Sequence, residues 1–284
     1  MQALHLMVSA MYPSAARSRT AASLHRVDPQ ELFEAELARR GLRHAADVRS
    51  GRCVVWVRGA KLAVSLDNLA RQLTGDEGDA ERVAWFTDQV IAAAGPAALT
   101  ADRLYWCLEP NDYRDRPDYR AAVSPRLDRV LVHADPVAAL IRWITPRALS
   151  ELGLSADEAS ERAWSNLGAA ARRAPQVTTG PVEGVTLLSF AAGIPSNASL
   201  LLAPSLREVV SGVAGWPVLA VAPEHDVVYL WNAAHRELAD RLGKMVVRVH
   251  ASAPYPLSTE LFEISDSIRA IGSYRPDDSS AQGR

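Results

Sequence analysis

From Asp28 the chain reads DPQELFEAELARRGL, with Leu32, Phe33 and Leu37 on one helical face, Asp28 at the N-cap, Pro29 at the first helical position and Gly41 as the stop. That spacing predicts a helix. From His44 to Leu66 the period shortens to alternating runs, HAADVR, RCVVWV and KLAVSL, broken at Ser50-Gly51 and Gly59-Ala60. A three-stranded meander is expected. Helical spacing returns in LDNLARQL and in AERVAWFTDQVIAAA, where Val83, Phe86, Val90 and Ile91 form a stripe, and LYWCLE reads as a strand.

The polar stretch NDYRDRPDYR, Asn111 to Arg120, suggests a boundary or a long surface loop, and the chain is divided there. Beyond it RVLVHA and ALIRWI read as strands around Asp135-Pro136, and Thr145 caps a helix with Pro146 at its first position. SADEASERAWSNLGAAARR carries Ser155 and Glu158 in capping-box spacing, so a long helix follows. VTLLSF predicts a strand, ASLLL and SLREVV a helix, and two strands flank VAPEHDVVYLW. HRELADRLGKMVVRVHA has the helical period, and LFEIS is expected to close the lobe as an edge strand.

The expected fold class is α+β, with two packed lobes, each an antiparallel or mixed sheet covered by helices. Residues 1–27 read as a disordered arm, 28–122 as the first lobe, 123–266 as the second and 267–284 as an extended or disordered tail. A length of 284 residues with 48% hydrophobic positions supplies enough material for such cores. The net charge of -2 gives no electrostatic footprint of a dedicated nucleic-acid binder. Cys53 and Cys107 stand apart, without zinc-site or disulfide spacing, which fits a reducing cytoplasm. No segment has the uncharged length of a membrane span.

SLDNLARQL, TPRALSELGLSADEASERAWSNL, LLLAPSL, VAPEHDVVYLW and PYPLSTELFEIS, in this order, resemble the YtpQ-like family of bacterial cytoplasmic proteins. The segments span most of the chain between Asp28 and Asp266; the N-terminal arm and the polar insert from Asp112 to Arg120 lie outside them. The resemblance implies an α+β fold and a domain without an assigned function.

Candidate chemistry is sparse. His225 and Asp226 form a pair of metal-binding or proton-relay type, but Pro223, Glu224 and His225 between two β-rich runs are turn material. A hairpin accounts for them. His133 and Asp135 alternate on a predicted strand and so share a face, and His235 begins a helix. PYPLS reads as a rigid connection, and Asn166 as a backbone-bonded or solvent-facing residue within a helix. No Gly-x-Ser-x-Gly elbow or phosphate-binding Gly-rich loop occurs.

The meander offers one surface. A turn at Gly59-Ala60 pairs Arg58 with Lys61 and Trp56 with Ala63, and a turn at Ser50-Gly51 sets Arg49 opposite Arg52. Trp56 is then expected among Arg49, Arg52, Arg58 and Lys61, opposite a core stripe of Cys53, Val55 and Val57. The expectation is a non-catalytic binding or regulatory module with a protein partner, no cofactor, no metal, no membrane and no nucleic acid. The alternatives are a hydrolase using His133, His225, Asp226 and His235, or a binder of anions or single-stranded nucleic acid through the Trp56 face.

Overall fold

A computed structural model describes residues 4–6 and 28–275, apart from 48–51, 58–59, 74, 94–98, 113–115, 136–139, 183, 193, 195 and 254–255. The chain is α+β and forms two compact units, Met1–Ala98 with Asp135–Arg142, and Leu99–Ala134 with Trp143–Arg284. The division therefore falls near residue 99, whereas the sequence had suggested the charged stretch Asn111 to Arg120.

The first unit contains β1 (Leu4–Leu6), α1 (Pro29–Arg39), β2 (Arg43–Asp47), β3 (Arg52–Val57), β4 (Ala60–Ser65), α2 (Asp67–Gln72) and α3 (Asp79–Ala93). Asp28 caps α1 by accepting from the Gln30 N–H at 2.8 Å, as its position before Pro29 implies. Phe33 and Leu37 of α1 bury against α3, where the Phe33 and Phe86 rings meet edge to face at 5.4 Å. Beneath them lies the core stripe of the meander, Cys53, Val55, Val57, Leu62 and Val64, all buried.

The strand order is β1-β4-β3-β2. β1 lies inside the stretch expected to be a disordered arm, yet pairs in parallel with β4; residues 7–27 lie outside the described residues. Val57 pairs with Ala60 and Trp56 with Lys61, not Trp56 with Ala63. The register moves by two, and because side chains alternate with period two, the same residues stay on the core face.

The second unit contains β5 (Leu104–Pro110), β6 (Arg120–Ala122), β7 (Leu127–Asp135), α4 (Pro146–Leu152), α5 (Ala156–Arg173), β9 (Gln176–Val182), β10 (Val185–Phe190), α6 (Leu206–Ala214), β11 (Val218–Val221), β12 (Tyr229–Asn232), α7 (Glu237–Ser252), β13 (Glu260–Ile264) and β14 (Ile268–Ser273). β8 (Leu140–Trp143) stands where the chain passes from the first unit back to the second. The capping box of α5 forms, with Ser155 Oγ and the Glu158 carboxylate each satisfying the other's backbone N–H. Thr145 likewise accepts from the Ala148 N–H.

A six-stranded sheet runs β14-β13-β11-β12-β10-β9, and a smaller one runs β5-β7-β6. Alternation along the large sheet separates two cores. Leu188, Phe190, Ala220, Leu230 and Phe262 pack with Leu167 of α5 and Val210 of α6, while Leu187, Leu219, Val221 and Trp231 pack with Leu238, Leu242 and Val246 of α7. LFEIS is not the edge strand that its sequence suggested. β13 pairs with β11 on one side and with β14 on the other, so part of the expected tail is sheet. No described helix is long and apolar enough to cross a membrane.

Candidate functional site

β11 and β12 pair antiparallel from Val218↔Asn232 to Val221↔Tyr229, so VAPEHDVVYLW is the hairpin its sequence implies. The connection is long and stitched on both sides. Pro223 O accepts from the Leu257 N–H at 2.9 Å, and His225 O accepts from the Ala198 N–H at 2.8 Å and from Ser196 Oγ at 3.2 Å. Asn197 Nδ2 donates to Asp226 O at 3.2 Å, and its Oδ1 accepts from the Ala192 N–H at 2.9 Å.

These bonds turn His225 inward. Its Nε2 lies 3.3 Å from Oε2 of Glu109 on β5, with both side chains buried. Cys107, two positions earlier on the same face of β5, directs its thiol to Glu109 Oε1 at 3.6 Å. Ser199 Oγ stands 3.3 Å from Cys107 Sγ and 3.0 Å from Ser196 Oγ, and accepts from the Leu108 N–H at 3.0 Å. A cavity of about 10 Å³ lies beside Tyr105, Trp106, Cys107, Leu167, Ser196 and Ser199, room for about one water molecule.

Burial pushes the Cys107 thiol well above its ordinary range, and the Glu109 carboxylate adds to the shift. It is held as a thiol, the poor nucleophile of the two forms. Burial also raises the carboxyls of Glu224 and Asp226; the Asp226 charge reinforces this for Glu224, and His225 opposes it for both. The cluster therefore reads as a buried polar network joining β5, the Asn197–Leu202 turn and the β11–β12 connection.

The other candidate histidines have separate partners. His133 on β7 is fully buried and accepts from the Thr100 N–H at 3.2 Å. His235 is exposed, with Nδ1 3.4 Å from the Glu237 carboxylate. The side chain of Asp135 lies outside the described residues. Asn166 bonds backbone, its amide donating to the carbonyls of Ala101 at 3.0 Å and Leu104 at 2.9 Å. Among the described residues no group of three or more His, Cys, Asp or Glu is placed to hold a metal ion.

On the first unit, pairing sets Arg43, Trp56 and Lys61 in one row across β2, β3 and β4. The Arg43 guanidinium lies over the Trp56 ring, 4.3 Å from its centroid, and Trp56 is half-buried. The next row on that face is Ala45, Val54 and Ala63, and the third is Asp47, Arg52 and Ser65. The expected Arg49 opposite Arg52 is corrected: Asp47 holds that place, because β2 ends at Asp47 and β3 begins at Arg52. Arg49 and Arg58, and the side chains of Arg52 and Lys61, lie outside the described residues.

Glu109 and Cys107 were missed from sequence, although a carboxylate within the apolar strand LYWCLE was a signal. Arg43 was missed because its place beside Trp56 depends on the loop length. Set against known protein families, curated proteins and solved structures, the chain matches none of them.

Proposed function

We propose that the protein is a binding or regulatory module of the bacterial cytoplasm that engages a protein partner through the outer face of the β2–β4 sheet. The observation that carries this is the row Arg43, Trp56 and Lys61 beside the small apolar row Ala45, Val54 and Ala63, on the side opposite the core stripe. An aromatic ring with a stacked guanidinium beside an apolar floor is the composition of an interface hot spot. Two buried, unpaired cysteines support a reducing compartment. Kinship with the YtpQ-like family belongs to the same proposal and rests on the order of the segments quoted above.

A hydrolase is the second reading, favoured by the His225 and Glu109 pair beside Cys107. It is the weaker one, since the pair is buried and the cavity beside Cys107 has room for about one water molecule. The test of the main reading is affinity capture with the intact chain and with Trp56→Ala/Arg43→Glu. A partner retained by the native chain and lost from the variant supports it; equal recovery overturns it.

A further inference from the structure

Arg129 lies within β7, across from Leu108 on β5 and Ala121 on β6. Its guanidinium carbon stands 5.5 Å from the ring centroid of Trp106 on β5 and 5.4 Å from that of Trp164 on α5. The two indoles are 5.8 Å apart and inclined by 37°. The three groups thus form a nearly equilateral triangle at the boundary of the core, with Trp106 buried and Arg129 and Trp164 half-buried.

Three other arginines with largely covered side chains hold carboxylates: Arg40 binds Glu36 and Asp88, Arg82 binds Asp76 and Asp79, and Arg120 binds Asp128. Arg129 pairs with no described carboxylate. Asp128, its neighbour, occupies the alternate face of β7 and is engaged by Arg120 at 2.8 Å. Moreover, Arg129 Nε and Trp106 Nε1 are both buried and neither hydrogen-bonds to a described residue. Buried donors in native proteins are nearly always paired, so two in one cluster call for an acceptor.

We infer that Trp106, Arg129 and Trp164 form a binding site for an oxyanion group, a carboxylate or a phosphate. All the polar atoms of the cluster are donors, so its complement is an acceptor with negative charge. The guanidinium carbon lies about equally far from the two rings, and the fork of N–H groups that a guanidinium carries matches the paired oxygens of such a group. This site lies in the second unit and does not depend on the Trp56 face.

The test is an NMR titration of the full chain, following the indole N–H resonances at constant ionic strength with sodium phosphate in one arm and sodium acetate in the other. Trp106→Phe and Trp164→Phe identify the two signals. A saturable shift of both at millimolar concentrations is expected, and the arm that produces it tells phosphate from carboxylate. Arg129→Gln should abolish it. Arg129→Lys, which retains charge and stem if the glutamine variant does not fold, should weaken binding by roughly ten-fold through loss of the two-pronged fork. No saturable shift in either arm, or one unchanged in these variants, overturns the site.

Discussion

Glu109 is a carboxylate in the strand LYWCLEP, and the interior tolerates it because His225 and Cys107 present polar atoms to its two oxygens. Removing His225 takes one of these polar atoms from the Glu109 carboxylate. His225→Ala is therefore expected to destabilise the protein by about 1–3 kcal/mol, measured by urea denaturation. Cys107 should also be chemically inert. With burial raising the Cys53 thiol to about 11 and the Cys107 thiol well above its ordinary range, maleimide labelling of the native chain should track unfolding as urea is added. Fast labelling at neutral pH without denaturant would show that the network is open.

Glu36 gives the residue scale a pH signature. Hydrogen bonds from Arg39 and Arg40 outweigh burial and lower its carboxyl from 4.5 to about 2. The folded value lies below the unfolded one, so the stabilisation is fully present above pH 4.5 and is lost as pH falls through about 2. Glu36→Gln should show less loss of stability across that window than the native chain. Equal acid sensitivity of the two proteins would mean that the pair contributes nothing.

At the scale of elements, caps and stripes were legible because they are local. Asp28, Thr145 and Ser155 each cap the helix that their neighbours announce. β9 and β14 were not, for a physical reason: both are edge strands with one neighbour, so they need little apolar alternation, and β9 tolerates the Gly-Pro of QVTTGPV where a central strand would not. LFEIS looked like an edge for want of a strong strand pattern after it. The close of β14 also explains a glycine inside α7. A Cβ on Gly243 would meet Tyr274 Cδ1 at 2.9 Å, while Tyr274 Oη donates to the Ala239 carbonyl at 2.8 Å. Gly243→Ala should thus destabilise the native chain, yet stabilise a Tyr274→Ala background by up to about 1 kcal/mol through helix propensity. A double-mutant cycle by urea denaturation reads the coupling, and additive effects would remove this account of the glycine.

For the whole molecule, the fold class could be read from the alternation of periods, but not the place where the chain divides. Charge density in Asn111 to Arg120 signals exposure, and an exposed stretch within a unit has the same composition as a boundary between units. The candidate sites divide in the same way. That Trp56 stands opposite the core stripe was legible because parity survives a two-residue slip, whereas His225 meets Glu109 across 116 positions, a pairing no local pattern encodes.

These two sites also give the central claim its sharpest test, since recognition is assigned to the sheet face of the first unit and structural support to the buried network of the second. The measurement is recovery of the bound partner by three intact proteins, the native chain, Trp56→Ala/Arg43→Glu and Glu109→Gln, each with its unfolding midpoint in urea. The face variant is expected to remain folded, at a cost of about 1–2 kcal/mol for the half-buried ring and its stacked guanidinium, and to lose the partner. Glu109→Gln is expected to lose stability and keep it. The reverse pattern, with binding lost from folded Glu109→Gln and retained by the face variant, would place function in the buried network and contradict the account.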